Sequence, residues 1–404
     1  MAGDDAARTT GPWRGPEARW GDHAPGWWGP RPARRGRLAW RVALAAVVVL
    51  VLAGVVAAKW VLPYYAITPG TALNVAQLIS VPRGASHRHR GSVVLTDVQL
   101  VQLTALGYLY YRFDEHAEIV SSADLTGGAS SSAYDEEGVI EMATARQAAV
   151  LVALRELGYH PRAVPDGAVV FAVEPGAKTA STLAVGDVVT AAGSAPTPVL
   201  SRLAATVGAA SPGSSLRIAF HGFASTRLRH RTVVVGELES SGSASKVSFT
   251  CDPAGSTRGR IVRRDGRPTG CLPVYAEQLY ANEDEPFPVS INSGGIVGPS
   301  AGLSFTLGVI EKLDRGDLTG ERRVAATGTM ANDGSVGAIG GIAQKTIAVR
   351  AAGATVFLVP PANAAVARAN AGPDLRIIAV SSIGEAVAAL EHLGGRLVRA
   401  TAAR

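Results

Sequence analysis

Between Val42 and Ala58 the chain has no charged residue, and it is built almost wholly of Ala, Val and Leu. Trp60, Val61 and Leu62 prolong the run past Lys59. That is the length needed to cross a bilayer. Lys59 can snorkel, and Trp40, Trp60, Tyr64 and Tyr65 fall at the two rims. Arg31, Arg34, Arg35, Arg37 and Arg41 precede the run, whereas only Lys59 follows before Arg83. The positive-inside rule therefore expects a cytoplasmic N-terminus, with residues 63–404 outside the cell membrane. A cleavable signal peptide ending near Ala57-Ala58 is the competing reading. Its leader of 41 residues is long for such a peptide. The expectation is one single-pass helix over residues 42–62, with the lipid bilayer as its partner.

This span divides the 404-residue chain unequally. Residues 1–41 are rich in Gly, Pro, Arg and Trp without apolar periodicity, the composition of a disordered cytoplasmic tail. The exported part has the hydrophobic content of a globular protein with a core. The net charge of +6 is spread thinly. No basic stripe with interleaved aromatics follows the anchor, so nucleic acid is not an expected partner. Cys251 and Cys271 are the only cysteines. They are too few for a zinc site, and in an exported domain they predict a disulfide. His87, Arg88 and His89 read as a solvated loop with no metal-ligand set.

Four further segments follow. Residues 63–162 read as mixed α/β, with a strand at Ser92–Thr96, a polar connection from Ile119 to Gly138, and a helix stopped by Gly158. Residues 163–238 read as a small β-rich module with a turn at Glu174-Pro175-Gly176. Its order of strand, Pro-Gly turn, Leu183-Ala184-Val185-Gly186-Asp187-Val188-Val189, helix and two strands resembles a PDZ domain. PDZ domains take an extended peptide onto a sheet edge, so the resemblance implies substrate binding or gating. Residues 239–269 read as a linker. In residues 270–404 strands and helices alternate, the pattern of a mixed α/β domain.

Within that last segment stands Gly298-Pro299-Ser300-Ala301-Gly302. Pro299 suits a first helical turn, and apolar residues recur afterwards at Leu303, Leu307, Ile310 and Leu313. Ser300 then sits where unpaired N–H groups and a helix dipole converge, a place fit for an oxyanion or simply for a cap. A nucleophilic serine needs a base. The only later histidine, His392, lies on an ordinary amphipathic helix. Lys312 is three turns along the serine's own helix, beyond reach. Lys345 lies in the first turn of an apolar helix, where dipole and burial both lower its pKa. The plain alternative is a surface lysine.

The pair of motifs resembles the proteolytic domain of Lon. There a Gly-Pro-Ser-Ala-Gly serine and a lysine after Gly-Gly form a Ser–Lys dyad, matching Ser300 and, 45 positions on, Lys345 within Ile339-Gly340-Gly341-Ile342-Ala343-Gln344-Lys345. Thr327-Gly328 matches that family's Thr-Gly, which implies that Thr327 supports the lysine. Ile296-Val297 stands where the family often has Lys-Asp, and Thr329 where an acidic residue is common. Together with the anchor and the PDZ-like module, the chain resembles the bacterial membrane-anchored Lon-like PDZ serine proteases. The resemblance implies an α/β (α+β) Lon-type proteolytic domain plus a PDZ-like domain, and an endopeptidase whose substrates are polypeptides. No Gly-x-x-x-x-Gly-Lys-[Ser/Thr] occurs, so no ATP-driven step, cofactor or metal is expected. Closed rings among related domains imply a homo-oligomer by analogy. The rival function is a non-catalytic adaptor presenting peptides to another protease.

Overall fold

The computed structural model describes residues 35–127, 130–173, 183–223, 225, 227–243, 246–252 and 269–399. The tail at 1–34, the turn at Glu174-Pro175-Gly176 and residues 253–268 lie outside them. The chain divides into two compact units, residues 1–56 and 57–404. Helix α1 (Arg35–Lys59) is long and apolar enough over Ala39–Lys59 to cross a membrane. It stops at Lys59: Val61 and Leu62, expected inside the span, begin the first strand.

Along the chain come β1 (Val61–Asn74), β2 (Ile79–Ser80), β3 (Ser92–Thr104), α2 (Ala105–Tyr111), β4 (Glu118–Ser121), α3 (Ser122–Thr126) and α4 (Ser131–Glu156). The next group is β5 (Arg162–Val173), β6 (Asp187–Ala192), β7 (Ala195–Pro196), α5 (Leu200–Ala209), β8 (Ser215–Gly222) and β9 (Arg229–Val234). Then follow β10 (Gly236–Ser243), β11 (Lys246–Asp252), β12 (Gly270–Cys271), β13 (Val274–Glu283) and β14 (Ser290–Ile291). The last part holds α6 (Gly302–Leu313), β15 (Arg323–Ala326), β16 (Thr329–Met330), β17 (Val336–Gly337), α7 (Ile342–Ala351), β18 (Val356–Val359), α8 (Ala364–Asn370), β19 (Arg376–Ala379) and α9 (Ile383–His392).

The first sheet has the order β19-β18-β15-β3-β1-β4. β3, β15, β18 and β19 run parallel, while β1 pairs antiparallel with both β3 and β4. Alternate residues of these strands enter different cores, as the two-residue period of a strand requires. Val93, Leu95, Val324, Ala326, Val356 and Leu358 pack with α4, α6 and α9. Val94, Ala325, Phe357 and Val359 pack with α7 and α8. Helices thus cover both faces of the sheet. Between its layers α6 is buried from Gly302 to Glu311, polar residues included. Ser304 and Thr306 donate to Ala301 O and Gly302 O, so no hydroxyl there is stranded.

Two boundaries read from the sequence are corrected. Residues 63–162 are not a separate segment, because β1, β3 and β4 belong to the same sheet as β15, β18 and β19. β13, expected in the C-terminal domain, belongs instead to a second sheet of order β13-β5-β6-β8-β9. That sheet and α5 enclose the module core of Leu183, Leu203, Val207, Ile218 and Phe220. In Gly186-Asp187, Asp187 accepts from Ala184 N at 2.9 Å and pairs with Arg229 at 3.0 Å, fastening the turn to β9.

The expected linker is corrected as well. Residues 236–243 and 246–252 pair antiparallel as β10 and β11, with β12 on the other side of β10. Val247, Phe249 and Cys251 alternate in the sequence, a strand signal that the surrounding Ser and Gly obscured. The described structure joins Cys251 of β11 to Cys271 of β12 by a disulfide. Finally, the polar stretch between Ile119 and Gly138 contains the end of β4, all of α3 and the first two turns of α4.

Candidate active site

Ser300 lies in a single 3₁₀ turn, Pro299–Ala301, that leads directly into α6. Gly298 enters the turn at φ 87°, a conformation that a side chain disfavours. Gly302 lies against β16: a Cβ there would stand 2.7 Å from Met330 N. The two glycines of the motif therefore aim and seat the serine. From the other side, α4 closes on the same loop, with Gly298 N donating to Gly138 O at 2.8 Å.

Lys345 comes from α7, three residues after its start. Its Nζ lies 2.6 Å from Ser300 Oγ and 3.5 Å from Thr327 Oγ1. Thr327 follows β15 and is fully buried. Its hydroxyl donates to Ser300 O at 3.1 Å, and Gly328 N donates to the same oxygen at 2.9 Å. One buried threonine thus contacts both the serine's backbone and the lysine's amine. Burial brings the Lys345 pKa down to about 8, against a smaller upward pull from the Asp97 carboxylate. Lys312 is elsewhere, donating to Ala76 O at 2.7 Å.

Ser300 and Lys345 open onto a cavity of about 970 Å³. Asp97 lines it from β3, where both the N–H and the hydroxyl of Thr71 donate to its carboxylate. Glu137 and Glu141 line it from α4. Burial first, then repulsion from Glu137 and Glu277, pushes the Glu141 carboxyl up to about 7. Nothing in the sequence marked these acids. They reach the cavity through β3 and α4, elements distant from both motifs in the chain.

His89 also departs from the exposed loop expected of it. One ring nitrogen and one oxygen each from Glu311 and Asp317 lie within 4.8 Å of one another. Thr319 Oγ1 lies 2.8 Å from Glu311 and 3.0 Å from Asp317. This group is separate from the cavity.

A parallel-containing α/β sheet with a serine and a buried lysine beyond the carboxyl ends of its strands is a hydrolase-like arrangement. Residues 283–391 match the family model of the Lon protease (S16) C-terminal proteolytic domain. Over these residues the chain is similar to the S16 serine peptidase domain. No curated protein matches the sequence. Among solved structures, the PDZ domain of the SdrC-like protein from Listeria monocytogenes is 12% identical, with a TM-score of 0.19. The alignment covers 28% of this chain and 87% of that one.

Proposed function

We propose that the protein is an ATP-independent, membrane-anchored endopeptidase in which Ser300 is the nucleophile and Lys345 its general base. The observation that carries this reading is the 2.6 Å contact at the cavity between their side chains, both of which lie within the matched residues 283–391. A neutral Lys345 gives one N–H to Thr327 Oγ1, whose own proton is committed to Ser300 O. Its lone pair then faces the Ser300 hydroxyl. Lys345 takes that proton as Oγ attacks the scissile carbonyl, and returns it to the leaving amine when the acyl-enzyme forms. Unpaired N–H groups at the Pro299–Ala301 turn receive the oxyanion. Water then releases the acyl group by the same steps.

Residues 1–34 are cytoplasmic in this reading, and residues 61–404 lie outside the membrane, following the arginine asymmetry around α1. The small module gathers polypeptide at a sheet edge. Because β5 is already paired with β6 and β13, the edges open to such a strand are β9 and the outer side of β13. Purified full-length protein should cleave an unfolded casein-like substrate without ATP and react with a fluorophosphonate. Ser300→Ala and Lys345→Ala should each reduce turnover by roughly 10³-fold or more with unchanged circular dichroism. Wild-type turnover in either variant would refute the dyad.

A further inference from the structure

Short helices on a globular surface normally turn their apolar stripe inward. α5 does so, burying Leu203 and Val207. α2 buries none of its residues. Leu106, Leu109, Tyr110 and Phe113 follow the i, i+3, i+4, i+7 spacing of one helical face, yet they are 50%, 58%, 66% and 80% exposed. Phe113 stays with that face because its N–H donates to Tyr110 O at 3.2 Å. Trp60 and Val61, also exposed, adjoin it. A contiguous apolar surface of this kind marks a contact with something outside the chain.

The covalent path says what covers it. α1 ends at Lys59, and the next residue, Trp60, accepts a hydrogen bond from Ala105 N, the first residue of α2, at 2.9 Å. Val61 pairs with Thr104 just before. α2 has seven residues and so extends about 10 Å from that bond. The headgroup layer on each side of a bilayer is about 6 Å deep. Tyr64 and Tyr108, in edge contact with centroids 5.4 Å apart, stand behind the face and are of the type that prefers this layer. Tyr111 and Arg112 share with them a recess of about 560 Å³.

We propose that Leu106, Leu109, Tyr110 and Phe113 insert into the headgroup layer of the membrane that α1 crosses, giving the exported part a second attachment beside its anchor. The occupant is lipid, because Trp60, one residue beyond the end of the anchor, is hydrogen-bonded to the first residue of α2. This rests on reading α1 as a membrane span and does not depend on Ser300 or Lys345.

The test uses full-length protein reconstituted in phosphatidylcholine–phosphatidylglycerol vesicles. An NBD fluorophore is placed on single cysteines introduced as Leu109→Cys, Phe113→Cys, Leu50→Cys in α1, or Val366→Cys on the outward side of α8. The native cysteines are paired and leave no competing thiol among the described residues. Each substituted side chain is exposed, so no core contact is lost. The labels at 109 and 113 should emit to the blue of the label at 366. They should also lose most of their fluorescence to lipids carrying a shallow nitroxide. Water-like emission at both positions overturns the proposal. So does blue emission that lipid nitroxides do not quench, which would mean that a second copy of the chain covers the face. The label at 50 reads the anchor separately, so failure of the span and failure of the second attachment are distinguishable.

Discussion

Lys345 is only 2% exposed. For an amine, this burial has opposite consequences for function and for stability. Burial outweighs the attraction of Asp97 and brings its pKa from 10.5 down to about 8. A neutral amine is the active form of a base, so cleavage should rise with pH through about 8. Asp97→Asn removes the opposing attraction, and the rising limb should move to lower pH. A limb that stays in place or moves upward would refute Asp97 as the charge acting on Lys345. For stability, the folded pKa lies below the unfolded one, so the unfolded chain binds more protons between about pH 8 and 10.5. This group's contribution to stability therefore improves as pH rises through that window, and its penalty is fully present below it. Lys345→Met should accordingly abolish turnover and raise stability at pH 7 by roughly 2–3 kcal/mol. Urea unfolding of the two proteins measures the difference, and a destabilised methionine variant would contradict it.

At the scale of elements, the serine's position depends on how closely α6 can approach β16. A methyl at Gly302 meets Met330 N and Cβ at 2.7 and 2.8 Å, and backbone cannot swing aside as a flexible side chain can. Gly302→Ala should therefore cost about 1–3 kcal/mol and lower kcat, since α6 carries Ser300 at its entrance. Thermal melting and single-turnover cleavage check the two parts, and an unaffected melting temperature would dismiss the close packing. The local signals were legible in the sequence at this scale. Pro299 at a helix start, Gly341 before α7 and Ser382 before α9 all mark elements found there, and Ser382 Oγ accepts from Glu385 N. Ser382 and Glu385 have the Ser-x-x-Glu spacing of a capping box, which is only half formed because the Glu385 carboxylate takes Ser381 N and Oγ instead. Less legible was α6, whose helical spacing suggested one buried face. Full enclosure follows from the layers on either side, which a single segment does not encode.

Over the whole molecule, the pairing of β3 with β15 joins residues 92–94 to residues 323–325. Neither strand's own sequence specifies that partner, which is why residues 63–162 read as a separate region. The same gap hid Asp97, Glu137 and Glu141, whose relevance arises only when β3 and α4 meet the Ser300 loop. Nothing comparable obscured the dyad candidates, because the motifs around them are local. The disulfide closes a separation of 20 residues, worth roughly 3 kcal/mol by loop entropy. Reduction should lower the melting temperature of the part after α1, and an unchanged melting curve would leave the bond without a stabilising role.

The small module enters through β5 and leaves through β13, and these strands lie side by side. Arg162, the first residue of β5, is in register with Glu283, the last of β13, and Arg162 Nε meets Asp284 Oδ2 at 2.7 Å. The chain thus returns almost to the point from which it departed, with α4 and the Ser300 loop on either side of the excursion. In the gene, a single in-frame insertion suffices to add or remove this cassette without rerouting any strand of the sheet that holds β3 and β15.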